Sequence, residues 1–176
     1  MKTSTESLRR LTQAGLIAAV YAALTLCIPV ASYGMIQLRL AEVLTILPVF
    51  SAAAVPGLAV GCLLANALGV CFGLTGAWDL LFGTAATLLA AVCTRRLREV
   101  RWFGLPILSA LMPVVFNAAI VGFELAMFFA GTAFTLPLYG ANALWVGLGE
   151  LLAATIGGLL LFATLRKTGA DKKLFV

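Results

Sequence analysis

The sequence predicts an all-α integral membrane protein, a bundle of six transmembrane helices with both termini on the cytoplasmic side. Three observations carry this expectation. Hydrophobic residues make up 62% of the 176-residue chain and charged residues only 11%, far from the roughly 45–50% and 25% of an average soluble domain. The apolar residues gather into long blocks with few charges, and the mean hydropathy is +1.09. The basic residues fall in three short polar stretches, which is the pattern of loop charges that set topology and not of a nucleic-acid surface.

The first apolar block, 11–31, follows Lys2, Arg9 and Arg10. A basic start before an apolar run is also the mark of a signal peptide. This run, however, is long enough for a bilayer core of roughly 20 residues, and the chain stays apolar beyond it, so a retained helix is expected. Ala14, Ala18 and Ala22 recur every four residues along it, with Gly15, Ala19 and Ala23 one position on. Such a surface lets a second helix approach closely, either inside the bundle or on a partner. Gly57 and Gly61 form a second, weaker pair of this kind.

The next two blocks, 40–55 and 57–72, are separated at Pro56-Gly57, the obvious break in an otherwise overlong apolar stretch. Charge parity supports the split. Lys2, Arg9 and Arg10 mark one end as cytoplasmic, and Arg95, Arg96, Arg98 and Arg101 mark a second short loop, so an even number of crossings must lie between them. At 16 residues each, both blocks are shorter than the roughly 17–25 that a full span requires. They are expected either to tilt inside the bundle or to form a partly re-entrant hairpin lining a chamber, because non-helical backbone at membrane depth survives only against protein or a cavity. Blocks 80–94, 104–130 and 141–165 complete the six, and Arg166, Lys167, Lys172 and Lys173 again follow on the inside. No soluble domain, linker or low-complexity tract interrupts residues 1–176, which therefore read as a single membrane domain.

Several functions are disfavoured. The chain has no histidine, hence no histidine acid–base catalysis, metal ligation or proton relay, and no nucleophile–base constellation for an intramembrane enzyme. Cys27, Cys62, Cys71 and Cys93 stand singly in apolar runs and read as small hydrophobes, so no metal site or cofactor is expected. No GxxxxGK[ST] motif occurs, so any ATP that drives this protein must be hydrolysed by a partner.

The informative charges are those left after the cytoplasmic groups are removed. Those groups carry +8, so Arg39, Glu42, Asp79, Glu124 and Glu150 must contribute −3 to the net +5. A carboxylate at bilayer depth costs about 2.5–3.5 kcal/mol on insertion scales, and such residues are by default functional or paired. One arginine cannot neutralise four acids. Arg39 and Glu42 are spaced for an i,i+3 pair, and the remainder calls for a water-filled or ligand-filled cavity. Amides accompany the acids: Gln37, Asn66, Asn117 and Asn142, with Asn117 and Glu124 seven residues apart and thus on one helix face. A single amide serves as interhelical glue, whereas this many beside four acids suit recognition of a polar, cationic ligand. Trp78, Tyr139 and Trp145 suit an aromatic belt at the outer boundary or a stacking lid.

The segment Ile36-Gln37-Leu38-Arg39-Leu40-Ala41-Glu42 with Leu47-Pro48, then Gly61 to Asn66, Asp79 to Thr84, Pro113-Val114-Val115-Phe116-Asn117 and Gly149-Glu150 resembles the QueT family of queuosine-precursor transporters. These are substrate-binding S-components of energy-coupling factor (ECF) systems. The resemblance implies a six-helix bundle in the bacterial plasma membrane that binds its substrate near the outer face. It also implies docking on a transmembrane coupling subunit driven by two ABC-type ATPases. Ala14, Ala18 and Ala22 match the alanine-xxx-alanine docking feature of S-components.

The implied ligand is a purine-like 7-deazaguanine, whose N–H edge suits a carboxylate acceptor and whose carbonyl suits an amide donor. On that basis Glu42 or Glu150 is expected at the donor edge. Gln37, Asn66 and Asn117 are expected as amide contacts, Asp79 or Glu124 at an amine, and Arg39 as the orienter of a carboxylate. The competing expectation is a self-sufficient homodimeric secondary transporter with Glu124 or Glu150 coupled to protons.

Overall fold

Helix α1 (Lys2–Cys27) begins well before the apolar block, since nothing in the polar segment interrupts it. It stops because Ile28 precedes Pro29 and leaves the helical region, with φ −131° and ψ 71°, as a pre-proline residue is pushed to do. One further turn, α2 (Pro29–Ser32), follows. The computed structural model describes residues 2–33, 38–129 and 131–175, and among these the regular structure is helical.

The second block departs from the expected helix 40–55. It is a 3₁₀ segment, Leu40–Val49, only ten residues long. Runs of 3₁₀ beyond three or four residues are uncommon and mark strain or function. The chain then turns through 50–53, where the Ser51 hydroxyl accepts from Ala53 N at 3.2 Å. Helix α3 (Ala54–Cys71) begins before the expected break at Pro56-Gly57. The physical reason is that the first-turn N–H groups of a helix have no intrahelical acceptor, so a proline there loses nothing and starts a helix instead of ending one.

The remaining elements follow the hydropathy blocks with shifted ends. A 3₁₀ turn, Ala77–Leu80, leads into α4 (Phe82–Arg96). Helix α5 (Ile107–Glu124) starts after Pro106 and passes directly into a π-helical turn, Leu125–Phe129. Helix α6 (Leu136–Glu150) starts earlier than the expected residue 141, because the Thr135 hydroxyl caps it by accepting from Leu138 N at 3.3 Å. It continues through a second π segment, Leu151–Gly157, into α7 (Gly158–Thr168) and the short α8 (Ala170–Leu174).

Among the described residues, five stretches are long and apolar enough to cross a membrane: Ser4–Cys27, Ala54–Cys71, Ala77–Arg96, Ile107–Phe129 and Leu136–Thr168. Against the expected six, Leu40–Val49 is the shorter, sixth apolar segment. It occupies the middle of the bundle, packed on α1, α3, α4, α5 and α7 and on the second π segment. The outer elements pack in sequence, α1 on α3, α3 on α4, α4 on α5 and α5 on α6.

The basic groups share one end of the bundle. Arg95 donates to Pro48 O at 3.0 Å, and Arg101 and Arg166 lie over the Phe162 ring at 4.8 and 5.9 Å. Phe162 stacks on Phe50, which stacks on Phe175, and Gln13 in the first half of α1 donates to Leu174 O at 2.6 Å. The C-terminal segment therefore lies with the Arg95–Arg101 loop on one side of the bundle, and α1 reaches it through Gln13.

Helix α5 carries Pro113 in its interior, which removes the donor that the Ser109 carbonyl would otherwise receive. The Thr94 hydroxyl takes that carbonyl at 2.9 Å, and the Thr155 hydroxyl takes the neighbouring Ala110 carbonyl at 3.0 Å. Neighbouring helices thus supply what the proline withdraws, as lipid-embedded backbone requires.

The small-residue surface of α1 meets α3. A Cβ on Gly57 would lie 2.8 Å from Ala14 O, and one on Gly61 would lie 2.8 Å from Tyr21 Cβ and 2.9 Å from Ala18 O. Ala18 and Ala22 are accordingly buried and Ala14 half-buried, while Gly15, Ala19 and Ala23 are exposed. Replacing Gly61 by valine is expected to wedge α1 from α3 and cost about 1–3 kcal/mol. Thermal unfolding of the purified protein in micelles measures this, and an unchanged midpoint would refute the close contact.

Candidate ligand-binding site

The site is built around the pitch of the central 3₁₀ segment. With three residues per turn, positions i and i+3 eclipse, so Arg39, Glu42 and Thr45 form one ridge, and all three are buried. Thr45 secures the turn by donating its hydroxyl to Glu42 O at 2.5 Å. Helices α3, α5 and α6 and the turn before α4 bring the other polar groups to this ridge.

Seven of the eight ligand-binding residues expected from the sequence are buried: Arg39, Glu42, Asn66, Asp79, Asn117, Glu124 and Glu150. The eighth, Gln37, lies outside the described residues. Arg39 donates through Nε to Ser32 O at 3.1 Å and stands 5.3 Å from the Tyr33 ring centroid. It does not form the i,i+3 ion pair with Glu42, since the ion pairs among the described residues are Arg98–Glu99 and Arg166–Asp171. Its charge nevertheless acts on Glu42, Asp79, Glu124 and Glu150. One guanidinium thus sits among four carboxylates.

The acids fall into two neighbourhoods. Asp79 faces Glu124, and Glu150 faces both Glu42 and Asn117. Glu124 and Glu150 are each the last α-helical residue before a π segment, and π bulges often mark functional sites because they re-aim side chains within a helix. Gly122 lets α5 and α6 close beside them, since a Cβ there would lie 2.7 Å from Ala143 Cα.

The amides divide differently. Asn66 is partly spent on structure, donating through Nδ2 to Asp79 O at 2.7 Å and to Cys62 Sγ at 3.5 Å. Gly83 makes room for it, because a Cβ there would meet Asn66 Nδ2 at 2.9 Å and would also approach Asp79 Oδ1 at 3.8 Å and Arg39 Nη1 at 3.9 Å. Asn117, by contrast, has Nδ2 buried without a partner.

The unpartnered atoms define the chemistry. Arg39 Nη2, Glu42 Oε2, Asn66 Oδ1, Asp79 Oδ1, Asn117 Nδ2, both oxygens of Glu124 and Glu150 Oε2 are buried without a hydrogen-bond partner among the described residues. A buried polar atom left unpaired costs about 1–3 kcal/mol, more when charged. Eight such atoms from five segments of the chain make a buried polar cluster whose chemistry suits a polar ligand, rich in acceptors and with few donors.

Aromatic rings crowd the end of the bundle away from the basic groups. Trp78 stacks on Phe128 at 4.2 Å, and Phe82, Phe123, Phe134 and Tyr139 continue the cluster. Trp78 is the residue before Asp79, and Phe128 follows Glu124 by one helical turn. Trp145, grouped with Trp78 and Tyr139 in the sequence, is exposed elsewhere on α6.

Two contributors escaped the sequence reading. Tyr21 is fully buried on α1 and donates its hydroxyl to Glu42 Oε1. Cys62, expected as a plain small hydrophobe, accepts from Thr87 at 3.3 Å as well as from Asn66. The available signal for Tyr21 was its position, a lone hydroxyl-bearing aromatic in the apolar middle of α1, where an interfacial belt has no place.

The family model described as QueT transporter matches residues 11–167, a span that contains every residue of this polar chamber. No curated protein and no solved structure matches the chain. With most of its length matched and its buried polar residues set among apolar spans, this multi-pass membrane protein belongs to the QueT transporter family.

Proposed function

We propose that this chain is the substrate-binding S-component of an ATP-driven ECF importer and captures a 7-deazaguanine queuosine precursor from outside the cell. The observation that carries the reading is the cluster of buried, unpartnered acceptors around a single arginine. Four carboxylates against one guanidinium favour a ligand that brings N–H donors and a positive charge, which a deazaguanine bearing an aminomethyl group does. Glu42 and Glu150 accept from its donor edge, Gln37, Asn66 and Asn117 are amide contacts, Asp79 and Glu124 hold the amine, and Arg39 orients the carboxylates.

In this reading the chain passes six times through the bacterial plasma membrane, with the 3₁₀ segment as the short second pass. The shared basic end, with both termini, faces the cytoplasm by the positive-inside rule. The coupling subunit docks on α1 beside Ala14, Ala18 and Ala22, of which Ala18 and Ala22 are themselves buried against α3. Because α3 covers part of that surface, the exposed Gly15, Ala19 and Ala23 beside it supply the close approach. Two ABC-type ATPases on partner chains supply the energy.

Uptake of a radiolabelled 7-deazaguanine into vesicles tests the reading. Accumulation should require the coupling subunit, both ATPases and hydrolysable ATP. Accumulation by the purified chain alone under a proton gradient would instead establish the homodimeric proton-coupled transporter.

A further inference from the structure

We propose that Tyr21 is a positioning residue for the ligand: its hydroxyl holds one oxygen of Glu42, so that Glu42 presents a single, fixed acceptor to the chamber. The inference rests on Glu42 being a ligand contact, as proposed above. It concerns a residue outside the chamber's own set of acids and amides, on the helix that also carries the small-residue surface.

Both partners are immobilised. Tyr21 is fully buried, its Cβ is where α1 meets Gly61 of α3, and its carbonyl accepts from the Thr25 hydroxyl at 2.9 Å. Glu42 is held by its backbone, with its N–H on Arg39 O at 3.0 Å and its carbonyl accepting from Thr45. Between these two anchors the Tyr21 hydroxyl occupies Glu42 Oε1, and Oε2 is the oxygen left buried and unpartnered.

A carboxylate with both oxygens free can accept paired donors, whereas one with an oxygen engaged is restricted. Glu124, with neither oxygen partnered, keeps the paired option. Glu42 does not. The phenol therefore sets which donor of a ligand Glu42 reads, and a Glu42 released from Tyr21 should turn and lose that selectivity. A tyrosine that merely satisfies its own hydroxyl in the core would contribute stability without selectivity.

The test uses the full chain in lipid nanodiscs and two variants, Tyr21→Phe and Glu42→Gln. The probes are 7-aminomethyl-7-deazaguanine and analogues of it methylated at one nitrogen each, titrated by calorimetry. The nitrogen read by Glu42 is the one whose methylation costs Glu42→Gln nothing further. Tyr21→Phe should weaken the parent probe by about tenfold and lose discrimination at that same nitrogen only. Equal weakening toward every analogue, or none, would overturn the positioning role.

Infrared difference spectra separate this from the choice of substrate. The carboxyl band abolished by Glu42→Gln should shift in Tyr21→Phe even without ligand. If the unaltered chain binds none of the probes, the substrate reading fails. A shifted band then still supports the Tyr21–Glu42 restraint, and an unmoved band overturns it.

Discussion

Replacing Arg39 by methionine is expected to destabilise the protein by about 3–5 kcal/mol, the cost of removing one partner from a set of buried charges. Arg39 is 4% exposed and is the cation whose charge reaches Glu42, Asp79, Glu124 and Glu150. Without it the carboxylates remain buried with no countercharge. They would have to take up protons or draw in water, and either response loosens the packing around the 3₁₀ segment. Lysine is expected to restore little, because a point charge cannot donate to Ser32 O and still present a planar fork toward the acids. Chemical denaturation of the micelle-embedded protein measures the loss. A methionine variant as stable as the parent would refute the countercharge role of Arg39.

Glu150→Gln and Glu42→Gln are expected to weaken binding of the deazaguanine probe by about 1.4–4 kcal/mol, roughly tenfold to a thousandfold. The substitution keeps shape and exchanges one acceptor oxygen for a donor. At Glu150 the exchanged group faces Asn117, whose Nδ2 already lacks an acceptor, so two donors would confront each other. At Glu42 the Tyr21 hydroxyl can still donate to the amide oxygen, which turns the new NH2 toward the chamber. Folding should survive both changes, because each removes one of four crowded negative charges. Unliganded stability should even rise, the usual relation between a binding site and the fold that carries it. Isothermal titration reads the affinity, and parent-like curves for both variants would remove these glutamates from the ligand's donor edge.

Much of this chamber is legible in residue types. Subtracting the loop charges isolates one arginine and four acids within apolar blocks, and burial of such groups in lipid is costly enough that they must converge. Asn66 and Asn117 follow by the same logic, as polar groups without a solvent. Tyr21 does not follow, since hydropathy cannot separate a phenol aimed at a carboxylate from one aimed at a membrane surface. The pairing of Arg39 with Glu42 was a reasonable α-helical expectation that fails for a geometric reason. Arg39 is the extended N-cap of the 3₁₀ segment and donates to Ser32 O, and Glu42 instead meets a hydroxyl from α1.

The distribution of apolar blocks and basic loops determined by itself that the chain is a helical membrane protein, roughly where its long apolar helices lie and that its basic groups belong together. These properties depend on composition summed over some 20 residues, and lipid reads that sum directly. Tertiary structure alone decided the rest: that 40–49 is a central 3₁₀ segment and not a helix to residue 55, that α3 begins before Pro56, and that Ala18 faces Gly61 of α3. It also decided that Tyr21 completes Glu42. Each of these is set by contacts between segments distant in sequence, where a difference of one methyl group or one hydroxyl selects the arrangement and leaves the hydropathy of either segment unchanged.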